Sequence, residues 1–184
     1  MTLEFNLSQL MKGAVGETRS YEISSDEPID LDDATASDIH GAAKFTLTNF
    51  GVVAAVHADA QLDLVCARCL ETFRGPTAVD FEEEYQPVID IATGLPSKTP
   101  RNENAFSISP RHTIDLREAL RQHLTLAVDL IPVCRPDCKG LCPTCGVNLN
   151  NETCACEPVE ETGPFAALKT LLKDVELETK EETS

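Results

Sequence analysis

The stretch VVAAVHADAQLDLVCARC, residues 52–69, decides the fold class of this chain. Val52, Ala54, Val56, Ala58, Ala60, Leu62 and Leu64 fall on one face, and His57, Asp59, Gln61 and Asp63 on the other. A period of two is the pattern of a strand with one buried and one wet face. Upstream, Phe45 and Leu47 alternate with Lys44, Thr46 and Thr48, and Asn49-Phe50-Gly51 reads as a turn. Downstream, Val79, Phe81 and Tyr85 oppose Asp80, Glu82 and Glu84. Strands this close in sequence predict an antiparallel meander with short connections.

Working outward, the signals shorten. Leu3, Phe5 and Leu7 suggest a short strand, and Glu17 to Ile23 another. Residues 24–33 read as an acidic loop. Residues 90–110 also read as loop, punctuated by Gly94, Pro96, Pro100 and Pro110. A helix is predicted near 115–131. Asp115 and Glu118 have capping-box spacing. Leu116, Leu120, Leu124, Ala127, Val128 and Ile131 make one apolar stripe, and Pro132 stops it. A C-terminal helix is predicted from Pro164, with Phe165, Leu168 and Leu172 as its stripe. Past Asp174 the chain is a Glu- and Thr-rich tail. The expected class is α+β: a mostly antiparallel β-sheet or partly closed barrel, the packed 115–131 helix, an appended Cys-rich zinc hairpin and a C-terminal helix. The expected organisation is a β-rich core with helix at 1–133, a Cys-rich segment with helix at 134–175 and an acidic tail at 176–184.

The 184 residues suit one domain with a small appendage. Seven Phe, two Tyr and no Trp mean a core built mainly from aliphatic side chains. Fifteen basic against 31 acidic residues give a formal charge of −16. That argues against a free-standing, non-specific nucleic-acid binder, which relies on Lys and Arg to neutralise phosphates. It suits a basic protein partner. The N-terminal residues show no basic start before an apolar run, so no secretory signal is expected. No stretch approaches the ~18 apolar residues of a membrane helix. The chain is expected to be soluble and cytoplasmic. Paired cysteines there are more often metal ligands or redox groups than disulfides.

The eight cysteines carry the chemistry. They fall as Cys66-Ala-Arg-Cys69, Cys134-Arg-Pro-Asp-Cys138, Cys142-Pro-Thr-Cys145-Gly146 and Cys154-Ala-Cys156. Eight is four plus four, and a structural Zn²⁺ takes four tetrahedral thiolates. Gly146 tolerates the positive φ with which such a knuckle closes. Chain order suggests a local site of Cys142, Cys145, Cys154 and Cys156, leaving Cys66 and Cys69 to meet Cys134 and Cys138. A local site of Cys138, Cys142, Cys145 and one of the last two is the alternative. Two structural zinc ions are expected. Disulfides would allow 105 connectivities and do not suit the compartment. A redox pair at Cys66/Cys69 is a further reading, but such pairs sit at helix N-termini and the flanking pattern here is strand. A catalytic zinc would keep an open position and recruit His or carboxylate. His40, His57, His112 and His123 all lie away from the cysteines in sequence. His123 reads as a satisfied core histidine.

Taken together, Val65-Cys66-Ala-Arg-Cys69-Leu70-Glu71, the acidic strand Phe81 to Tyr85, Ile114 to Leu120 running on to Pro132 and Cys134, and Asp137-Cys-Lys-Gly-Leu-Cys-Pro-Thr-Cys-Gly146 resemble the YceD-like family. These are bacterial and plastid proteins tied to accumulation of large-subunit ribosomal RNA. The resemblance runs from about residue 40 to 173. Members that lack the later Cys cluster keep the first pair and a ligand-capable residue after the helix, which supports joining Cys66 and Cys69 to Cys134 and Cys138. The resemblance implies a non-catalytic role in making or stabilising the large subunit. No phosphate-cradling loop or nucleophile with an obvious base is visible.

Two mechanisms follow. In one, the protein escorts a basic ribosomal protein or a precursor particle, using the acidic strand 80–84 and the 26–33 stretch. In the other it touches ribosomal RNA through Arg68, Arg117, Arg121, Arg135 and Lys139. Arg68 and Arg135 lie inside the two Cys pairs, so the preferred partition makes them neighbours. A thiol redox enzyme and a structural adaptor in transcription are the readings from other classes.

Overall fold

A computed structural model describes residues 3–91, 93–97 and 105–156. The C-terminal helix expected from Pro164 and the acidic tail lie outside the described residues. The chain divides into two compact units, the first Met1–Cys138 and the second beginning at Lys139.

The first unit is built on the three long strands legible in the sequence. These are β4 (Thr35–Leu47), β5 (Val52–Val65) and β6 (Thr72–Pro87), preceded by β1 (Glu4–Asn6), β2 (Thr18–Ser25) and β3 (Ile29–Asp30). Then follow β7 (Phe106–Ile108), β8 (Thr113–Asp115) and the helix α1 (Arg117–Ala127). The main sheet has the order β2-β4-β5-β6-β7, with β3 also paired to β4, and β1 pairs with β8 in a separate ladder. Neighbours are antiparallel except β6 and β7, which run parallel through Tyr85↔Phe106. The β4–β5 hairpin closes where Thr48 Oγ1 accepts the amides of Phe50 and Gly51.

Alternation sets the burial. Val52, Ala54, Val56, Ala58, Ala60 and Leu62 of β5 are buried, as are Phe45 and Leu47 of β4 and Val79, Phe81 and Tyr85 of β6. The helix lays Ala119, Leu120 and Leu124 over this face. It packs against β6 and β3, and the His123 ring stacks on Phe81 at 4.1 Å. His123 Nε2 is also 2.8 Å from Glu83 Oε1, so it is a satisfied, partly buried histidine.

Four expectations need correction. The sheet is open and no barrel forms. Its edge strands β2 and β7 are eight and three residues long against 13, 14 and 16 for β4, β5 and β6, and no ladder joins them. Closure would need edges paired at matched tilt and stagger. The acidic stretch 24–33 is not all loop, because Ile29 and Leu31 are buried and β3 lies within it. The 90–110 segment likewise contains β7. The helix covers Arg117–Ala127 rather than 115–131. Asp115 belongs to β8, and its carboxylate accepts the Arg117 amide at 2.9 Å. Glu118 turns instead to Arg121 and Gln122, so no capping box closes. At the other end Val128 is extended, with φ −67° and ψ 126°. Pro132 disfavours helical geometry at Ile131, and the straightened chain brings the Pro132 carbonyl to the Ala67 amide at 2.8 Å. Ile131 and Ala127, both expected in the buried stripe, are therefore exposed, as is Leu130.

Gly41 pairs with Ala58 in mid-sheet, and a Cβ there would run into the His57 carbonyl oxygen. Neither strand can yield without breaking its ladder. Gly41→Val is expected to cost about 2–3 kcal/mol, read from the denaturant midpoint.

Candidate metal centres

The end of β5 delivers Cys66 and Cys69 into a tight turn. The Leu70 amide donates to the Cys66 carbonyl at 2.9 Å, and Leu70 takes φ +59° to do so. The segment after α1 supplies Cys134 and Cys138 in a second turn, with the Cys138 amide bonded to the Arg135 carbonyl at 3.1 Å. The four sulfurs meet: Cys66 and Cys138 Sγ are 3.9 Å apart, Cys69 and Cys134 Sγ 3.8 Å. Phe73 and Val133 pack around them.

Within the second unit Leu141 and Asn148 form a bridge, and the Gly146 amide donates to the Cys142 carbonyl at 2.9 Å with φ +74°. This repeats the first knuckle, Gly146 standing where the first has Leu70. Asn148 Oδ1 accepts the Asn150 amide, and Asn150 Oδ1 accepts the Lys139 amide, so the hairpin tip is pinned by its own side chains. Cys142, Cys145, Cys154 and Cys156 converge here. In each group all four Sγ atoms lie within 4.8 Å of one another.

These distances fit a metal. A tetrahedron with metal–sulfur arms of about 2.3 Å has sulfur–sulfur edges of about 3.8 Å. A disulfide would hold its sulfurs at about 2.05 Å, and none of the eight cysteines is in a disulfide. Protonation points the same way. The Cys134 amide, and after it those of Cys69 and Arg68, hold the Cys66 thiol down at about 6. Burial and then the neighbouring thiols push Cys134 up to about 12. In the second group the amides of Cys145 and Thr144 lower Cys142 to about 6, while a hydrogen bond with the Cys145 thiol, and then burial, raise Cys156 to about 12. Each group thus offers one thiol that ionises readily and one that holds its proton, and a bound cation would favour the thiolate form of both. Both Cys₄ groups could hold a metal ion. Cys138 joins the first group rather than the hairpin. Neither group includes a His or carboxylate among the described residues, and Cys66 is buried and directly follows the end of β5.

The arginines have other partners. Arg68 Nη1 donates to the Cys138 carbonyl at 3.1 Å and lies 3.5 Å from that of Pro136, so it does span to the knuckle that holds Arg135. Arg135 Nε is 3.5 Å from Asp137. Arg117 pairs with Glu27 at 2.7 Å, and Arg121 with Glu118 at 2.9 Å and Asp32 at 3.9 Å. The Arg121 bond holds the Glu118 carboxyl down at about 2. Lys139 is exposed. The Glu27 and Asp32 partners were invisible to sequence reasoning, which paired residues by local spacing.

The family model for the large ribosomal RNA subunit accumulation protein YceD matches residues 54–172, a span that contains both Cys groups. The chain belongs to the YceD family. An uncharacterized protein of Mycobacterium tuberculosis is 39% identical over 87 residues, 47% of this chain and 40% of that protein. The protein from Zea mays named large ribosomal RNA subunit accumulation protein YCED homolog 1, chloroplastic, is 43% identical over 61 residues, 33% of this chain and 20% of its own length. Its Arabidopsis thaliana namesake is 30% identical over 63 residues, 34% and 20% of the two chains. The matches thus span less than half the length of these curated relatives. No solved structure matches the chain. Among the described residues no helix is long and apolar enough to cross a membrane.

Proposed function

We propose that this YceD-family chain is a non-catalytic zinc-binding factor that supports accumulation of large-subunit ribosomal RNA. It acts in the cytoplasm by binding a ribosomal protein or a precursor particle. The family match across residues 54–172 carries this reading. The donor set supports zinc, because four thiolates at tetrahedral spacing and no fourth-position vacancy suit a structural Zn²⁺. The first ion would staple the end of β5 to the segment after α1; the second would set the shape of the hairpin.

Escort of a basic protein fits the surface better than direct RNA contact. The open sheet face carries exposed Asp80 and Glu82, and the Glu27 and Asp32 carboxylates are exposed beside the helix. Arg117 and Arg121 already have carboxylate partners, which weakens them as phosphate ligands. The direct-RNA reading rests on Arg68, Arg135 and Lys139.

The test is an affinity pull-down of the tagged chain from gentle lysate, with and without nuclease. Recovery of a basic ribosomal protein in both arms is the expected result. A signal limited to precursor large-subunit RNA and abolished by nuclease would favour RNA contact. Alanine at Arg68, Arg135 and Lys139 should then weaken binding and flatten its salt dependence. Recovery of neither would sink the ribosomal reading.

A further inference from the structure

We propose that the groove between the end of β5 and residues 128–132 is a docking site for a Lys- or Arg-rich protein segment that carries an apolar anchor. This rests on the escort reading and names its surface and the chemistry of its partner.

The groove encloses about 440 Å³. Leu64, Val65, Val128, Leu130 and Pro132 line it, and Asp33 and Asp129 stand at its polar margin. Leu130 is fully exposed, and Leu126 and Ile131 beside it in sequence are 81% and 71% exposed. Within α1, by contrast, Leu120 and Leu124 are completely buried. Exposed aliphatic side chains that line one groove, here Val65 and Leu130, mark an interaction site. The lining is also preformed: the Ala67 amide bonds to the Pro132 carbonyl at 2.8 Å and ties one wall to the other. A site already shaped spends less of its binding energy on ordering.

Charge selects the occupant. Among the described residues neither the Asp33 nor the Asp129 carboxylate has an ion-pair partner. The nearest helix cation, Arg121, is committed to Glu118 and Asp32. A neutral apolar segment would desolvate the two carboxylates without compensation. An acidic segment or a nucleic acid would be repelled. A segment pairing Leu- or Ile-type anchors with flanking cations satisfies the walls and the margin together.

Fluorescence anisotropy with a dye-labelled amphipathic Lys/Leu peptide and the full chain tests this. Leu130→Asp removes the anchor contact yet makes the protein more acidic, so groove docking and diffuse attraction predict opposite signs. We expect affinity to fall about tenfold or more, with an unchanged circular dichroism spectrum because Leu130 packs on nothing. Asp33→Asn with Asp129→Asn should weaken binding and flatten its salt dependence, whereas Asp80→Asn with Glu82→Gln on the sheet face should not. Unchanged or tighter binding to Leu130→Asp, or equal loss from the sheet-face variant, overturns the proposal. So does a wild-type dimer that Leu130→Asp dissolves, since a second copy would then fill the groove. Repeating the pull-down with Leu130→Asp separates the two readings. A ribosomal protein still recovered overturns the groove and leaves the escort role standing; none recovered even by wild type overturns the escort role, and the peptide titration then decides the groove alone.

Discussion

Cys66→Ser is expected to bind one metal ion per chain against an expected two for the wild type, and to lower the melting temperature on the order of 10 °C. A serine hydroxyl does not replace a thiolate on a soft ion, and the Cys66 thiol is held down at about 6 by the amides around it. It is also wholly buried, so the three sulfurs that remain lose both their ion and their packing. Loss of a structural metal belongs to the few mechanisms that exceed about 4 kcal/mol, and at this chain length each kcal/mol moves the melting temperature by about 2–4 °C. Cys142→Ser is the matched control. It should also retain one ion, but leave the unfolding of the sheet unit unchanged, because its partners Cys145, Cys154 and Cys156 all lie in the second unit. Elemental analysis and thermal melts decide both. A metal count equal to wild type in either variant rejects the corresponding site.

Phe45→Ala is expected to cost about 3–5 kcal/mol. The chain has few aromatic rings, and Phe45 joins two of them, lying 5.4 Å from Phe5 and 5.8 Å from Tyr21 between ring centres. Its side chain is fully buried near the C-terminal end of β4. Removing it empties the junction between the sheet and β1, with no Trp or further ring available to settle into the space. Phe45→Leu should recover more than half of the loss, since most of the volume returns. Urea denaturation measures both, and the near-ultraviolet signal of Tyr21 should weaken in the alanine variant. A loss below about 1 kcal/mol for Phe45→Ala would mean that this cluster is not part of the cooperative core.

What the sequence revealed was whatever repeats locally. The alternation, strict from Val56 to Leu64, made β5 unmistakable, and Phe45, Leu47, Val79 and Phe81 carried its neighbours with it. The cysteines were legible for a different reason: four pairs divide into two tetrahedral sets, and the hairpin set is contiguous. What escaped depends on partners far along the chain. The three residues of β7 exist because β6 offers a parallel edge at Tyr85, and nothing within Phe106–Ile108 announces that. Ile131 continued the helical stripe by spacing alone, since periodicity counts apolar residues without knowing whether anything covers them. The Arg117–Glu27 pair spans 90 residues, beyond any rule about adjacent turns. The acidic Glu118 looked like half of a capping box and instead serves Arg121.

The two knuckle sites are alike in geometry and opposite in topology. The sulfurs of the hairpin come from one short run of chain. Those of the sheet site close contacts 65 and 72 residues long. Closing the longer loop costs roughly 1–2 kcal/mol more in chain entropy, before any difference in the sulfurs themselves. During synthesis Cys66 and Cys69 emerge well before the residues that complete their set, while the hairpin finishes almost as soon as it appears. Whatever ion the groups take up, the hairpin can load from local chain alone, and the sheet site can load only once β5, β6 and α1 have met. An ion in the sheet site would therefore record that the first unit has folded, and scarcity of that ion would arrest the chain at that last step.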